Sequence, residues 1–222
     1  MISMPRLNAR RGSILAVAAT LVLAGCARDN EIDLTNGVGI TASRNLCPAV
    51  GVPTHTGDVT IFDPPASRDA RAIDVVATIT NLRTSCSEDA GRLYAGTTFD
   101  VIATRRDAGP ARDVTLPYYS AVVQGNTNVV AKDIGNVTVR FAEGQTRATA
   151  QATAGAYVNR EATVLPPDIE QRITRRRRAG EADAALDPMA DPEVRAAVAR
   201  ATFELLIGFQ LNQEQLQYNV TR

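Results

Sequence analysis

The chain has 222 residues with 24 basic and 24 acidic side chains and a single histidine, so its formal net charge is zero. A nucleic-acid-binding domain should be basic, and charge alone speaks against that class. Aromatic residues make up 5% of the chain and tryptophan is absent, while Ala, Val and Thr are plentiful, a composition that suits short β-branched strands packed with small side chains.

Residues 1–24 fall into three parts. Arg6, Arg10 and Arg11 come first with no acidic residue, an apolar run from Ile14 to Leu23 follows, and small residues close the segment. An apolar core of this length is too short for the roughly twenty residues of a membrane-spanning helix and has the layout of a secretory signal. Its end, Leu23-Ala24-Gly25-Cys26, resembles the lipobox of bacterial lipoproteins. That resemblance implies lipid transfer to the Cys26 sulfur, cleavage of residues 1–25, and a mature chain that starts at an acylated, palmitate-bearing Cys26. Each buried methylene of such acyl groups contributes about 0.8 kcal/mol to membrane anchoring. Ala27, rather than an aspartate, follows the cysteine, which within that family implies the outer membrane and its periplasmic face. The sorting rule differs between bacterial groups, which leaves the inner membrane and the cell surface open. A plain signal peptide, cut after a small residue, would instead leave Cys26 incidental.

Loss of residues 1–25 removes three arginines and leaves 21 basic against 24 acidic residues, a weakly acidic balance that again argues against nucleic acid. Three cysteines is an odd count. Once the lipobox resemblance assigns Cys26 to lipid, Cys47 and Cys86 remain as an even pair, and an oxidising periplasm implies a disulfide between them. Two separate buried thiols are the alternative.

From residue 26 to residue 46 the chain is polar and aperiodic, as expected of a lipid-bearing terminus and flexible tether, and the domain is expected to start at Cys47 and run to residue 222. Asp58 to Phe62 predicts a strand stopped by Asp63-Pro64-Pro65. Ile73, Val75, Ala77 and Ile79 alternate with mostly polar residues, the period of a half-buried antiparallel strand, and Cys86 is expected in the loop after it. Thr97 to Thr104 alternates again. Asp113 to Val123 is strand-like but contains Pro117, which predicts an edge, a bulge or a kink. Gln124-Gly125-Asn126-Thr127 signals a hairpin before two short strands, 128–131 and 136–141. Thr146 to Ala154 places Ala148, Ala150, Ala152 and Ala154 on one face, a small-residue surface that lets a helix or the opposite sheet pack close, with the later helices the expected occupant.

Pro167 suits a first helical position, with Asp168 and Glu170 in the first turn and Arg175 to Arg178 in the last. Asp187-Pro188 and Asp191-Pro192-Glu193 read as successive turn and N-cap signals, the second opening a helix to about residue 201. Then Phe203, Leu205, Ile207, Phe209 and Leu211 recur at every second residue, which predicts a central strand. Asn212 and Gln215 form a capping-box pattern for a short C-terminal helix, with Leu211 and Leu216 as a staple. About eight short strands with regular turn signals indicate a mainly β fold, an immunoglobulin-like antiparallel β-sandwich with a helical insertion at about 167–201 and a short C-terminal helix.

Catalytic chemistry finds little support. His55 is the only histidine, it sits in a loop-like segment, and no Gly-x-Ser-x-Gly elbow accompanies it. One histidine and two paired cysteines cannot build a usual zinc site, and no EF-hand spacing or phosphate-cradling loop is present, so neither a metal nor a cofactor is expected. Paired carboxylates could converge from anywhere, and Asp63, Asp69 and Asp74 have nothing special in this respect. The sharpest surface feature is Arg172 with Arg175, Arg176, Arg177 and Arg178, which could contact lipid phosphates, anionic glycan or an acidic partner. A solvated helix end with Glu181 and Asp183 nearby is the plainer account. The expected function is a membrane-anchored, non-enzymatic binding or assembly module with an envelope protein partner. An envelope hydrolase acting through carboxylates, and a ligand-binding transport or secretion accessory protein, are the alternatives.

Overall fold

The computed structural model of the chain describes residues 44–222; Cys26, the lipobox-like segment and nearly all of the expected tether lie outside the described residues. Of the described residues, 44–175 and 185–222 belong to one compact unit and 176–184 to another.

The larger unit is a mainly β sandwich of two four-stranded sheets. Its strands are β1 (Ala49–Gly51), β2 (Asp58–Phe62), β3 (Ile73–Asp89), β4 (Arg92–Arg105), β5 (Arg112–Gln124), β6 (Asn128–Phe141), β7 (Arg147–Asn159) and β8 (Phe203–Phe209). One sheet has the order β1-β8-β5-β6 and the other β2-β3-β4-β7. All pairs are antiparallel except β1 with β8, which run parallel. The helices are α1 (Arg160–Thr163), α2 (Pro167–Thr174) and α3 (Pro192–Ala201) between β7 and β8, then α4 (Gln213–Thr221) at the C-terminus.

The period-two faces meet in the middle. Val75, Ala77 and Ile79 of β3, Phe99, Val101 and Ala103 of β4, Val137, Val139 and Phe141 of β6, and Ile207 and Phe209 of β8 form one buried cluster. β8 lies inside its sheet, as its unbroken alternation predicts. The alanine face of β7 packs against this central cluster and does not carry the helices, which build a separate core from Leu165, Ile169, Ile173, Val194, Ala197 and Ala201. Small side chains on β7 therefore serve close approach of the opposite sheet.

Several strands run past their expected ends. β3 crosses an irregularity between Thr80 and Arg83, where Asn81 adopts a left-handed φ of 53°, and continues through Cys86 to Asp89. Cys86 thus sits in the strand, opposite Ala95, and not in an exit loop. Residues 83–89 are exposed and lack a buried face, so no periodicity announces them; β4 supplies the ladder. Ala90 and Gly91, both with positive φ, close this hairpin in two residues, the geometry that matches the strands' right-handed twist. The two short strands expected over 128–141 are one continuous β6.

Pro117 is accommodated where β8 ends. Its carbonyl accepts from the Gln210 N–H at 2.9 Å. Because N and C=O of a strand residue share a side, the missing N–H faces that flank and the β6 ladder loses nothing. The capping box of Asn212 and Gln215 is formed at α4, although Leu216 stays 41% exposed. The helical insertion begins earlier than residue 167, because the Asn159 side chain caps α1 by accepting from Glu161 N–H. Arg44 donates to the Thr163 carbonyl at 3.2 Å and the Ala201 carbonyl at 2.8 Å, so the fold holds the chain ahead of Cys47.

Two ties fix the sandwich. Cys47 and Cys86 form a disulfide spanning 39 residues, linking the approach to β1 in one sheet with β3 in the other. At the opposite end of β4, Arg105 is 5% exposed. Its guanidinium donates to the carbonyls of Gln145, Pro110, Gly109 and Ala142 at 2.6–3.2 Å and lies 5.3 Å from the Phe141 ring centroid. One buried cation thereby orders the 106–111 and 142–146 loops through their backbones.

Reduction of the disulfide, or the pair Cys47→Ala and Cys86→Ala, should cost about 4 kcal/mol in urea unfolding, the chain-entropy value for a loop of this length; an unchanged midpoint would contradict the role given to it. Arg105→Met, which keeps the aliphatic stem and strands the carbonyls, should cost at least about 3 kcal/mol. In that variant, amide exchange should rise first in the 106–111 and 142–146 loops.

Candidate functional site

The sequence-derived candidates occupy different settings. Arg172, on α2, is engaged at the start of α3, where its guanidinium pairs with Asp191 and, at 3.1 Å, with Glu193. Asp191 also accepts from Glu193 N–H at 2.8 Å as the α3 N-cap. α2 ends at Thr174, with Arg175 as its C-cap, so Arg175 to Arg178 follow the helix and Arg172 is the base in its last turn. Within the smaller unit, Arg177 is 5% exposed and its Nε lies 3.3 Å from Asp183. Arg175, Arg176 and Arg178 are exposed.

His55 lies in an exposed turn with a left-handed φ of 67°. Its Nδ1 is 3.2 Å from the Asn219 carbonyl oxygen, and the Asn219 amide donates to the carbonyls of His55 and Asp58 at 2.9 and 2.8 Å. This ties α4 to the turn before β2, a structural use. Among the acids, Asp74 pairs with Arg112 at 3.0 Å. Among the described residues there is no cluster of three or more His, Cys, Asp or Glu placed to hold a metal, and no helix is long and apolar enough to cross a membrane.

A hollow of about 360 Å³ lies on the outer face of the β3-β4-β7 sheet. The registers place the residues in transverse rows. Arg83, Thr98 and Thr153 are directly opposite one another, as are Ser85, Gly96 and Gly155, then Ser87, Tyr94 and Tyr157. The Gly96–Gly155 pair makes a notch that the Tyr94 ring occupies. A Cβ on Gly155 would lie 2.3 Å from the Tyr94 hydroxyl, and one on Gly96 would lie 2.8 Å from the ring. The ring therefore lies along the sheet, and a tyrosine over a facing glycine pair restores the packing that the glycines lack. Tyr157 packs against Tyr94 at 4.9 Å between centroids, and the Arg92 guanidinium lies 4.6 Å from the Tyr157 centroid.

On the other side of the hollow, Asp100 accepts from the Asn81 side-chain amide at 2.5 Å and from that of Gln151 at 3.3 Å. The Asn81 hydrogen bond first, then that of Gln151, holds the Asp100 carboxyl below its ordinary pKa, with nearby Arg83 adding to the effect. Where the edges of the two sheets approach, the Tyr118 hydroxyl donates across to the Thr153 carbonyl at 2.8 Å, and burial raises the Tyr118 pKa. Gly135 faces Tyr118 because a Cβ there would come within 2.5 Å of its ring.

Sequence reasoning did not single out this hollow. Its traces were a tyrosine, a glycine, a threonine and an aspartate on the outward positions of β4, and a Gly within each of β4 and β7. A larger groove of about 700 Å³ lies between Pro65–Arg68 and α4, crossed by the 2.5 Å Arg68–Glu214 ion pair. No known protein family, curated protein or solved structure matches the chain.

Asp191 supplies a pH test of the α2–α3 contact. Its cap bond from Glu193, followed by the Arg172 charge, depresses the folded-state pKa below the ordinary 3.8, so the stabilisation is present above that value and is lost as pH falls through the lower folded value. Thermal melting should rank wild type above Asp191→Asn, which keeps the cap acceptor, and Asp191→Asn above Asp191→Ala. The gap between wild type and Asp191→Asn should close on acidification, and a gap independent of pH would contradict the charge contribution.

Proposed function

We propose that the chain is a lipid-anchored protein of the bacterial cell envelope whose β-sandwich is a non-enzymatic binding or assembly module. The observation that carries this reading is the cysteine accounting. Cys47 and Cys86 are bonded to each other, which leaves Cys26 as the cysteine for which the lipobox-like Leu23-Ala24-Gly25-Cys26 gives a use. Acylation there would hold the sandwich at a membrane, the outer membrane on its periplasmic face when Ala27 is read by the family's sorting rule. The weakly acidic charge of residues 26–222 supports a partner other than nucleic acid.

The described side chains support a binding role. Arg172 is engaged with Asp191 and Glu193, His55 with the C-terminal helix, and Asp74 with Arg112, each in a contact that holds the fold. The hydroxyls of Thr98 and Thr153, in no such contact, lie on the open face of a sheet, a place for recognition.

Expressed in a bacterium with labelled palmitate, the full chain should incorporate label, and its intact mass should correspond to loss of residues 1–25 plus acyl groups. Cys26→Ser should abolish labelling and release the protein from the membrane fraction. A mature chain with no acyl mass, or label retained by Cys26→Ser, would overturn the anchor. Affinity capture from mildly extracted membranes should recover a defined envelope partner, and recovery of a lone monomer would count against the assembly role.

A further inference from the structure

We propose that the outer face of the β3-β4-β7 sheet binds a linear glycan strand, seated on Tyr94 and held by the hydroxyl row beside it. The proposal deepens the binding-module reading above by naming its ligand class.

Several side chains lining the hollow have donors and acceptors not used in any hydrogen bond within the protein. Among the described residues, the hydroxyls of Ser85, Thr98 and Thr153 and the guanidinium of Arg83 make no hydrogen bond or ion pair to the protein. Some threonine hydroxyls are spent within the protein: Thr115 and Thr138 bond to each other at 3.0 Å, and Thr97 donates to the Arg83 carbonyl at 3.1 Å. Hydroxyls that both donate and accept, set beside a guanidinium that only donates, suit a ligand whose rim is itself made of hydroxyls.

The aromatic floor supplies the second requirement. A pyranose ring is polar at its edge and carries C–H groups on its faces, so it stacks on an aromatic ring that lies flat. Tyr94 lies flat because the Gly96–Gly155 notch admits it, and Tyr157 extends the aromatic surface on the neighbouring strand. Tyr94, Thr98 and Asp100 all project from the same face of β4, and six residues of strand span about 20 Å, longer than one sugar ring. Asp100, kept ionised and oriented by Asn81 and Gln151, ends this track with an acceptor. The hollow's size is at the low end for small-molecule pockets, which are about 300 Å³ or more and enclose most of their ligand. Its setting on an open sheet face favours a chain lying across it.

The test is co-sedimentation of the full chain, kept in detergent, with three insoluble glycans: purified peptidoglycan sacculi, chitin and cellulose. Binding to at least one is expected. Thr98→Val with Thr153→Val keeps shape and strand propensity while removing both hydroxyls, and should weaken binding about tenfold, the loss expected when hydrogen bonds worth about 1.4 kcal/mol in sum disappear. Tyr94→Ala should weaken it further, and the threonine pair decides the matter if that variant fails to fold. Binding to sacculi alone, lost in Arg83→Ala, would identify a carboxylated glycan as the ligand. Failure to sediment with any of the three, or binding unchanged in the threonine double variant, would overturn the proposal. Palmitate labelling of Cys26 is independent of these outcomes, so failure of the anchor and failure of the glycan site are told apart.

Discussion

Strand β4 is paired along nearly its whole length on both flanks, with β3 on one side and β7 on the other, and this double register is the constraint on which the rest depends. Leu93, Ala95, Phe99, Val101, Ala103 and Arg105 point inward and are buried. Tyr94, Gly96, Thr98 and Asp100 point outward by the same period of two. A slip of one residue would exchange the two sets, placing Asp100 in the core and Phe99 in water. The core thereby enforces the surface: apolar burial on one side of the strand fixes the spacing of polar groups on the other. Recognition chemistry on such a face needs no loop to position it.

The register is protected where it is most exposed to fraying. β2's last partner on β3 is Thr78, and residues 83–89 farther along β3 form an exposed edge with no buried face of their own. The Cys47–Cys86 bond fastens it there. At the other end of the sandwich, Arg105 replaces side-chain packing with four backbone carbonyls and the Phe141 ring. Both devices act on strands that cross the core, so each couples a loop or an edge to the period-two burial in the middle. Free edges elsewhere are blunted differently. Lys132 and Asp133, adjacent on β6, place a charge on each face of that edge strand, a known deterrent to strand pairing between molecules.

The legible parts of the fold were those in which burial writes a period. β2 and the first half of β3 carry it, β8 carries it without interruption, and the caps at Asp191 and Asn212 are local chemistry that needs no tertiary information. The second half of β3 was illegible because its residues are exposed and its pairing is supplied by β4. β1 was missed because three residues paired in parallel with β8 leave no pattern. The alanines of β7 announced close packing but not its partner, because a helix and an opposing sheet ask for the same small side chains. Arg105 could not be recognised at all, since an arginine at a strand end reads as solvated until the loops close over it. The hollow had the same difficulty: Gly96 and Gly155 are ordinary residues until the β4–β7 register sets them opposite each other beneath Tyr94.

Such a surface can change at little cost to the fold. Thr98 and Thr153 are half-buried or exposed and spend their hydroxyls on no protein group, whereas Phe99, next to Thr98 along β4, is fully buried. Replacing an outward hydroxyl by a methyl retains β-branching and leaves the inward face untouched. Tyr94 differs, because it covers two glycines and so belongs to the fold as well as to the face. A sandwich organised in this way separates tunable specificity, carried by the threonine row and Arg83, from a fixed aromatic floor whose geometry the glycine pair dictates.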